Sequence, residues 1–263
     1  MFSFFKKKES NDKKEDEVII DKTEVEDYKD VSPVAEYFKN ETGVTFDNQV
    51  SVLKNKLTTF CRMRYIPSFL KLLEITKKDS QIKQELIDYL TTNETFFYRE
   101  FNQIAELTEL VKQKSNSVNI LCAPSATGEE PYSIAIALLE AGVPSSRFSI
   151  TGIDINAGAI QKAEIAQYRE RNIRNLSEDI LKRHFENSEG NYILKEHVKS
   201  LVTFKIANLF DKSFTNLGKF DFIFSRNMLI YFNHDTKLEA KRILESMRKD
   251  ETQDIFFGHA DLF

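Results

Sequence analysis

The sequence predicts an α/β protein in which a parallel β-sheet follows a helical domain. Short apolar runs at residues 118–123, 148–154, 202–206 and 220–224 have the length of buried strands, and segments of helical periodicity separate them. Residues 33–90 show helical periodicity alone. Strands that alternate with helices along a chain form parallel sheets with right-handed crossovers, which defines the expected architecture.

The helical domain is predicted over residues 31–90. Val34, Tyr37 and Phe38 recur at helical spacing, as apolar residues do when one face of a helix packs against a core. Stripes of this kind form cores far more often than functional sites, so this segment predicts a small bundle. A linker and a connecting helix, residues 91–114, are expected to join it to the sheet.

The sheet domain is predicted over residues 115–263, with a small antiparallel β insertion at about residues 172–200. The alternation of strands and helices stops there, and Gly190 precedes the apolar stretch 192–194. At the start of the chain, residues 1–30 are dense in Lys, Asp and Glu and contain neither Gly nor Pro. This composition predicts a disordered charged leader.

Composition argues against several classes of protein. No stretch approaches the roughly 20 apolar residues that span a bilayer. A net charge of −4 argues against a general nucleic-acid binder. Cys61 and Cys122 are far apart and form no C-x-x-C pair, so neither a disulfide framework nor a metal site is expected. We therefore expect a cytoplasmic protein.

The charge is unevenly distributed along the chain. Residues 51–78 contain seven Lys and Arg residues and a single acidic residue, Glu74, which gives this segment a net charge of +6 and leaves −10 for the rest. Two interpretations remain open. The segment is either a solvated helix face or a docking surface for an acidic partner, whose encounter complementary charge would speed and orient.

A ligand site is predicted at the carboxyl edge of the sheet. Open parallel sheets bind ligands beyond the carboxyl ends of their strands, near the point where the strand order reverses. Gly128 follows the first strand and opens a helix, where the backbone can approach a ligand closely. Asp154 ends the second strand, where a carboxylate can accept both hydroxyl groups of a ribose.

The loop after the first strand narrows the class of ligand. It carries one glycine rather than G-x-G-x-x-G and no G-K-[ST], which disfavours a pyrophosphate, a nucleoside triphosphate and hence a nicotinamide dehydrogenase. Glu129 and Glu130 would also repel a phosphate. S-adenosylmethionine has a ribose and a positive charge but no phosphate, so it fits best. Another ligand and a purely structural turn remain alternatives.

Two further segments are polar where a purely structural role would favour apolar residues. Residues 90–100 join the two domains, and residues 225–232 follow the strand at 220–224. Taken singly, Arg99 is also consistent with an ordinary surface ion pair and Tyr231 with an ordinary core aromatic. Their coincidence with Asp154 favours a shared site.

Together these segments resemble the chemotaxis receptor glutamate O-methyltransferase family over residues 34–263. The matching blocks follow the family order and read TTNETFFYRE (91–100), SATGEEPYSIA (125–135), GIDIN (152–156), ANL (207–209) and FDFIFSRNMLIYF (220–232). The first two blocks are highly specific in combination.

The resemblance implies a Rossmann-like S-adenosylmethionine-dependent methyltransferase sheet, an N-terminal all-α domain and a small inserted antiparallel β subdomain. It also implies which residues line the pocket for S-adenosylmethionine and its product S-adenosylhomocysteine: Asn93, Thr95, Arg99, Glu130, Asp154, Asn208, Leu209, Asn227 and Met228.

The function implied by the resemblance is methyl transfer from S-adenosylmethionine to the γ-carboxylate of specific glutamates on chemotaxis receptors, which serves sensory adaptation. Arg99 and Tyr231 are the expected catalytic residues: Arg99 would position a carboxylate, and Tyr231 would orient the incoming glutamate. The basic helices and the β subdomain would contact the cytoplasmic domain of the receptor.

We expect a monomer that is recruited from the cytoplasm to membrane receptor arrays without inserting into the membrane or binding nucleic acid. Two alternatives remain open: a methyltransferase with another substrate, and a receptor-binding adaptor without turnover.

Overall fold

The computed structural model describes residues 26–261, so most of the predicted leader lies outside the described residues. The first five helices are α1 (Ser32–Thr42), α2 (Val50–Met63), α3 (Phe69–Lys78), α4 (Ser80–Leu90) and α5 (Phe101–Gln113). No helix within residues 26–261 combines the length and the apolar character needed to cross a bilayer.

The helices α1 to α4 form a bundle with its own core. Phe38, Leu57 and Phe60 are fully or almost fully buried at its centre, because the apolar residues repeat at the spacing that places them on one face of each helix. Side-chain caps fix where two of the helices begin. The Ser68 hydroxyl accepts a hydrogen bond from Lys71 N at 3.1 Å, and the Asp79 carboxylate accepts from two amides of the first turn of α4.

The elements of the second half alternate as expected, apart from an insertion. In chain order they are β1 (Val118–Cys122), α6 (Glu129–Glu140), β2 (Phe148–Asp154), α7 (Ala157–Ile165), β3 (Gln167–Tyr168), α8 (Glu170–Ile173), α9 (Glu178–His184), β4 (Phe185–Ser188), β5 (Asn191–Leu194), α10 (Glu196–Lys199), β6 (Val202–Ile206), β7 (Phe222–Ser225), α11 (His234–Ser246) and β8 (Phe256–Phe257).

The main sheet has five parallel strands in the order β6-β2-β1-β7-β8. The chain moves outward on one side of β1 to β2 and β6, and then crosses to β7 and β8 on the other side. In the shared register, Ile120 of β1 lies between Ile150 of β2 and Phe222 of β7. The predicted α/β fold class is confirmed, and the reversal of strand order lies at β1.

The insertion is a separate antiparallel sheet of three strands in the order β3-β5-β4. It begins at Gln167, earlier than the sequence predicts, because the two residues of β3 pair with the central strand β5. Tyr168, Phe185 and Leu194 of these strands are buried in the same core as the main sheet. The insertion is therefore packed against the main sheet rather than attached through its connections alone.

The helical bundle is fastened to the sheet beside the carboxyl end of β2. The Asp88 carboxylate of α4 accepts hydrogen bonds from Ala157 N at 2.8 Å and Gly158 N at 3.1 Å, the free amides at the start of α7. The Asn156 side chain in turn donates to Asp88 O and to the Thr91 hydroxyl. These contacts place the bundle over the edge where ligands are expected.

Candidate functional site

A cavity of about 870 Å³ lies at the carboxyl edge of the main sheet, beneath the helical bundle. The loops after β1, β2, β6 and β7 form its floor, and the linker before α5 and the α1–α2 connection form its walls. The residues that the resemblance assigns to the cofactor pocket and to catalysis all line this cavity: Asn93, Thr95, Arg99, Glu130, Asp154, Asn208, Leu209, Asn227, Met228 and Tyr231. Gly128 is not among its lining residues.

Asp154 closes β2 with a carboxylate that is 5% exposed. One of its oxygens accepts from Ala126 N and the other from Asn156 N, both at 2.9 Å. Burial raises the pKa of Asp154 to about 6, and these amide donors oppose the rise. The group is therefore mainly ionised at pH 7, held rigidly, and still has lone pairs to offer a ligand.

Glu130, in the first turn of α6, is buried and paired with Arg226, which follows β7. The Arg226 Nε lies 2.5 Å from one Glu130 oxygen, and its terminal nitrogen donates to Arg99 O at 2.9 Å. The Glu100 carboxylate lies 4.0 Å from the same guanidinium and 3.2 Å from the His259 ring. Burial raises the pKa of Glu130, and the charge of Arg226 limits that rise.

Two buried polar atoms at the cavity have no hydrogen-bond partner among residues 26–261. They are the second carboxylate oxygen of Glu130 and the hydroxyl oxygen of Ser125. Buried polar groups are nearly always satisfied in native proteins, and leaving one unpaired costs about 1–3 kcal/mol. Both atoms belong to residues that line the cavity, and both are themselves buried.

The neighbours of Glu130 have structural tasks instead. The sequence predicts that Gly128 lies against a ligand, but a Cβ there would approach the Ala163 Cβ to 2.9 Å, so this glycine allows α6 to pack on α7. Glu129 is fully buried, and its two oxygens accept from the Thr127 hydroxyl at 2.6 Å and the Asn172 amide at 2.7 Å. Of the two acidic residues that open α6, Glu130 alone lines the cavity.

The linker before α5 supplies one wall. Its Arg99 donates to Glu94 O at 3.3 Å. The Arg99 charge also lowers the pKa of Glu130 and of Tyr231, against the larger effect of burial on both groups. Arg99 therefore acts electrostatically on both ends of the cavity, the acidic end at Glu130 and the end at Tyr231.

The opposite wall follows β6. The Asn208 side-chain oxygen accepts from Phe210 N at 3.0 Å, and its amide group donates to Glu41 O at 2.6 Å. Leu209 is buried and belongs to the core cluster beneath the cavity. The main polar contacts of Asn208 are thus already made within the protein, and its neighbour offers an apolar surface suited to an aromatic base.

The loop after β7 carries the remaining residues. Asn227 has a left-handed backbone with φ of 59°, and Leu229 to Tyr231 form a single 3-10 turn. The Tyr231 side chain is 36% exposed in the cavity, and burial raises its pKa, so the phenol remains a hydrogen-bond donor at neutral pH. The Tyr231 carbonyl accepts from Thr45 N at 2.9 Å, which joins this loop to the helical bundle.

Sequence reasoning missed two charged residues that support the cavity, Arg226 and Asp261. Arg226 stood within a motif block, and a lone cation directly after a buried strand is a signal for a buried ion pair. Asp261 is 3% exposed and accepts hydrogen bonds from amides of the loop after β7. Its position far along the chain gave no comparable signal.

The donor set fits S-adenosylmethionine. An ionised carboxylate at the end of β2 suits two ribose hydroxyls, an unpaired carboxylate oxygen at α6 suits an ammonium or sulfonium charge, and an apolar wall suits adenine. A phosphate would meet two buried acids instead. Residues 26–261 contain no cluster of three or more His, Cys, Asp or Glu side chains arranged to hold a metal ion.

Comparisons with known proteins agree with this geometry. The family model "CheR methyltransferase, SAM binding domain" matches residues 93–263. The chain is 36% identical over 222 residues to a chemotaxis protein methyltransferase of Campylobacter jejuni, covering 84% of each protein. It is 32% identical over 228 residues to the chemotaxis protein methyltransferase of Escherichia coli, covering 84% of this chain and 79% of that relative.

Another relative is named for biofilm formation rather than for chemotaxis. A probable biofilm formation methyltransferase, WspC, of Pseudomonas aeruginosa is 32% identical over 185 residues, covering 68% of this chain and 44% of the relative.

The fold, the cavity and these comparisons define an S-adenosylmethionine-dependent methyltransferase. More narrowly, the chain belongs to the CheR family of chemotaxis methyltransferases.

Replacing Arg226 tests the buried ion pair. The Arg226→Met substitution leaves the buried Glu130 and the partly buried Glu100 without this cation, so the free energy of unfolding at pH 7 should fall by about 3–5 kcal/mol. Urea unfolding measures this. The double variant Arg226→Met/Glu130→Gln should recover part of the loss, and Arg242→Met, an exposed residue of α11, is the control. Equal stability of Arg226→Met and wild type would contradict the interpretation.

Proposed function

We propose that the methyl acceptor is the γ-carboxylate of glutamates on the cytoplasmic domain of chemotaxis receptors. The observation that carries the proposal is the shared cavity: its floor is the predicted cofactor edge of the sheet, and its wall belongs to the basic helical bundle. An acceptor side chain that docks on the bundle would therefore reach the cofactor directly. The two chemotaxis methyltransferase relatives support the same acceptor.

The chemistry requires alignment more than proton transfer. Bound S-adenosylmethionine supplies an electrophilic methyl group on a positively charged sulfur. A glutamate carboxylate, with an ordinary pKa of about 4.3, is already ionised at neutral pH and needs no general base. The protein must instead orient the carboxylate and exclude water, and good orientation alone can lower a barrier by about 7–11 kcal/mol.

The cofactor-binding roles follow from the cavity floor. Asp154 would accept the ribose hydroxyls with the lone pairs that its two backbone donors leave free. Glu130 would receive the amino group or attract the sulfonium with its unpaired oxygen. Asn208, Leu209 and the backbone near Met228 would frame the adenine.

Residues of the linker and of the loop after β7 would contact the rest of the cofactor and orient the acceptor. Asn93 and Thr95 line the cavity from the linker and would contribute polar contacts to the cofactor, as would Asn227 from the loop. The Arg99 guanidinium would position a carboxylate of the cofactor or the acceptor. The protonated Tyr231 phenol would donate a hydrogen bond that orients the incoming glutamate.

The basic segment of the bundle would bind the acidic receptor surface. Arg62, Arg64 and Lys71 lie in ion pairs with carboxylates of the chain itself, at 2.8, 2.7 and 3.3 Å. Lys54 and Lys78 are exposed on α2 and α3, as is Lys77. These three lysines therefore carry most of the charge available to a partner.

We further propose that the protein acts as a monomer in the cytoplasm and is recruited to receptor arrays through these contacts. The buried free thiols of Cys61 and Cys122 suit a reducing compartment. A second candidate acceptor is a protein of another signalling process, which the match to WspC favours. A receptor-binding adaptor without turnover is disfavoured by the intact acidic lining of the cavity.

The acceptor is tested with methyl-labelled S-adenosylmethionine and purified cytoplasmic domains of chemotaxis receptors. We expect incorporation of label that mild alkali releases as methanol, because a glutamyl methyl ester is hydrolysed under these conditions. Receptor domains with the methylated glutamates replaced by alanine serve as controls. Cofactor binding by calorimetry without any label transfer would point to an adaptor, and transfer to a different protein would point to the second candidate.

The division of roles at the cavity predicts different kinetic defects for two variants. Asp154→Ala should weaken S-adenosylhomocysteine binding by about tenfold or more, because hydrogen bonds to a charged group contribute about 1.5–3 kcal/mol. Tyr231→Phe should leave that affinity within about twofold and lower kcat, because the phenol contacts the acceptor alone. Calorimetry and steady-state kinetics measure both quantities. Equal losses of cofactor affinity in the two variants would overturn this assignment.

Reversing the exposed charges tests the docking surface. The triple variant Lys54→Glu/Lys77→Glu/Lys78→Glu should raise KM for the receptor domain by about tenfold at low salt while kcat and cofactor affinity stay unchanged. The difference should shrink as salt screens the charges. The matched control reverses three exposed lysines outside the bundle of α1 to α4: Lys112, Lys162 and Lys212. Similar KM values for both triple variants would refute a specific docking role.

A further inference from the structure

Asp261 lies at the end of the described chain, yet its carboxylate is buried against the loop after β7. One oxygen accepts from Leu229 N at 2.8 Å, and the other accepts from Asn227 N and from Gly258 N, the latter at 3.1 Å. A single carboxylate thus satisfies amides of two separate turns. Burial raises the pKa of Asp261, and the amide donors partly offset that rise.

The contact between these two turns is close. A Cβ on Gly258 would lie 2.9 Å from Asn227 N and 3.0 Å from the Asp261 carboxylate, so the turn at 258–261 approaches the loop backbone directly. Asn227 has a left-handed backbone, which costs a residue with a side chain free energy unless its surroundings hold it. The hydrogen bond from its amide to Asp261 is one such constraint.

The loop held by Asp261 carries residues assigned to the cofactor and the residue assigned to the acceptor. Asn227 and Met228 line the cavity where the cofactor is expected, and Tyr231 lies in the same cavity at the end of the 3-10 turn that Leu229 begins. The Tyr231 carbonyl is bonded to Thr45 of the helical bundle. The carboxylate at one end and this bond at the other therefore fix the loop between two parts of the protein.

We propose that Asp261 is a positioning residue for methyl transfer: its carboxylate fixes the loop of residues 227–231 and thereby orients the Tyr231 phenol and shapes the cofactor wall. An acid at this point is required because the groups it meets are all donors. An amide in its place would turn an NH₂ group toward backbone N–H groups and lose part of the network. The orientation of Tyr231 rests on the proposed function, whereas the effect on the cofactor wall is independent of the acceptor.

The experiment compares Asp261→Asn, Asp261→Glu and Tyr231→Phe with the combination Asp261→Asn/Tyr231→Phe. Calorimetry measures S-adenosylhomocysteine affinity, and kinetics with a receptor cytoplasmic domain give kcat and KM. Asp261→Asn should lower kcat by about tenfold to a hundredfold, the range expected for a displaced catalytic group, and weaken S-adenosylhomocysteine binding severalfold. Asp261→Glu, which keeps the carboxylate, should retain more of both properties than Asp261→Asn.

The double variant distinguishes positioning from general stabilisation. Once the phenol is absent, Asp261→Asn should cost little further kcat, so the two effects should be strongly non-additive. Independent multiplication of the two kcat losses would overturn the proposed action through Tyr231. Asp250→Asn is the matched control, because that aspartate accepts hydrogen bonds from Thr252 in an exposed turn away from the cavity.

Two further measurements distinguish a failure of the Asp261 proposal from a folding defect and from a wrong assignment of the acceptor. If Asp261→Asn does not fold, Gly258→Ala acts on the same contact from the other turn and should give the same losses of kcat and affinity. If Tyr231→Phe alone leaves kcat unchanged, the role of the phenol fails, and S-adenosylhomocysteine affinity still tests the cofactor wall. A folded Asp261→Asn variant with unchanged affinity and kcat would refute the proposal.

Discussion

The buried guanidinium of Arg226 is the interaction on which the cavity depends. It meets the Glu130 carboxylate of α6, the Arg99 carbonyl of the linker and, at 4.0 Å, the Glu100 carboxylate. A charge this far from water is tolerated only while its partners remain in place. The linker, the start of α6 and the loop after β7 therefore cannot move apart independently, and three of the cavity's borders are fixed relative to one another.

Two contacts on opposite sides of the cavity hold the helical bundle in place relative to these three borders. Asp88 caps α7 beside the end of β2, and Thr45 N donates to the Tyr231 carbonyl at the far side of the cavity. Methyl transfer demands close alignment of nucleophile, methyl carbon and sulfur. If the bundle presents the acceptor as proposed, it must therefore keep a fixed position relative to the cofactor edge. Docking of the bundle is thus part of the site as well as of the fold.

Much of the fold and site was predictable because the signals are local. Each signal lies within a few consecutive residues. This holds for the apolar runs of the strands, for the acid Asp154 at the end of a strand, and for the motif blocks that contain Arg99 and Tyr231. What escaped prediction depends on tertiary contact. Gly128 serves helix packing, because its neighbour Ala163 comes from another helix, and Asp261 acquires its role from a loop far away in the chain. Periodicity and spacing carry no information on such pairings.

The charges of the cavity resolve a conflict built into the chemistry. The site must attract a cationic cofactor and also admit an anionic carboxylate, and two buried acids alone would repel the second. Arg226 balances the charge of Glu130, whose second oxygen has no hydrogen-bond partner among residues 26–261. Arg99 adds a positive field that acts on both Glu130 and Tyr231. In the proposed reaction the acceptor would meet the Arg99 cation and the neutral Tyr231 phenol, although the charges of Glu94 and Asp261 also act on that phenol.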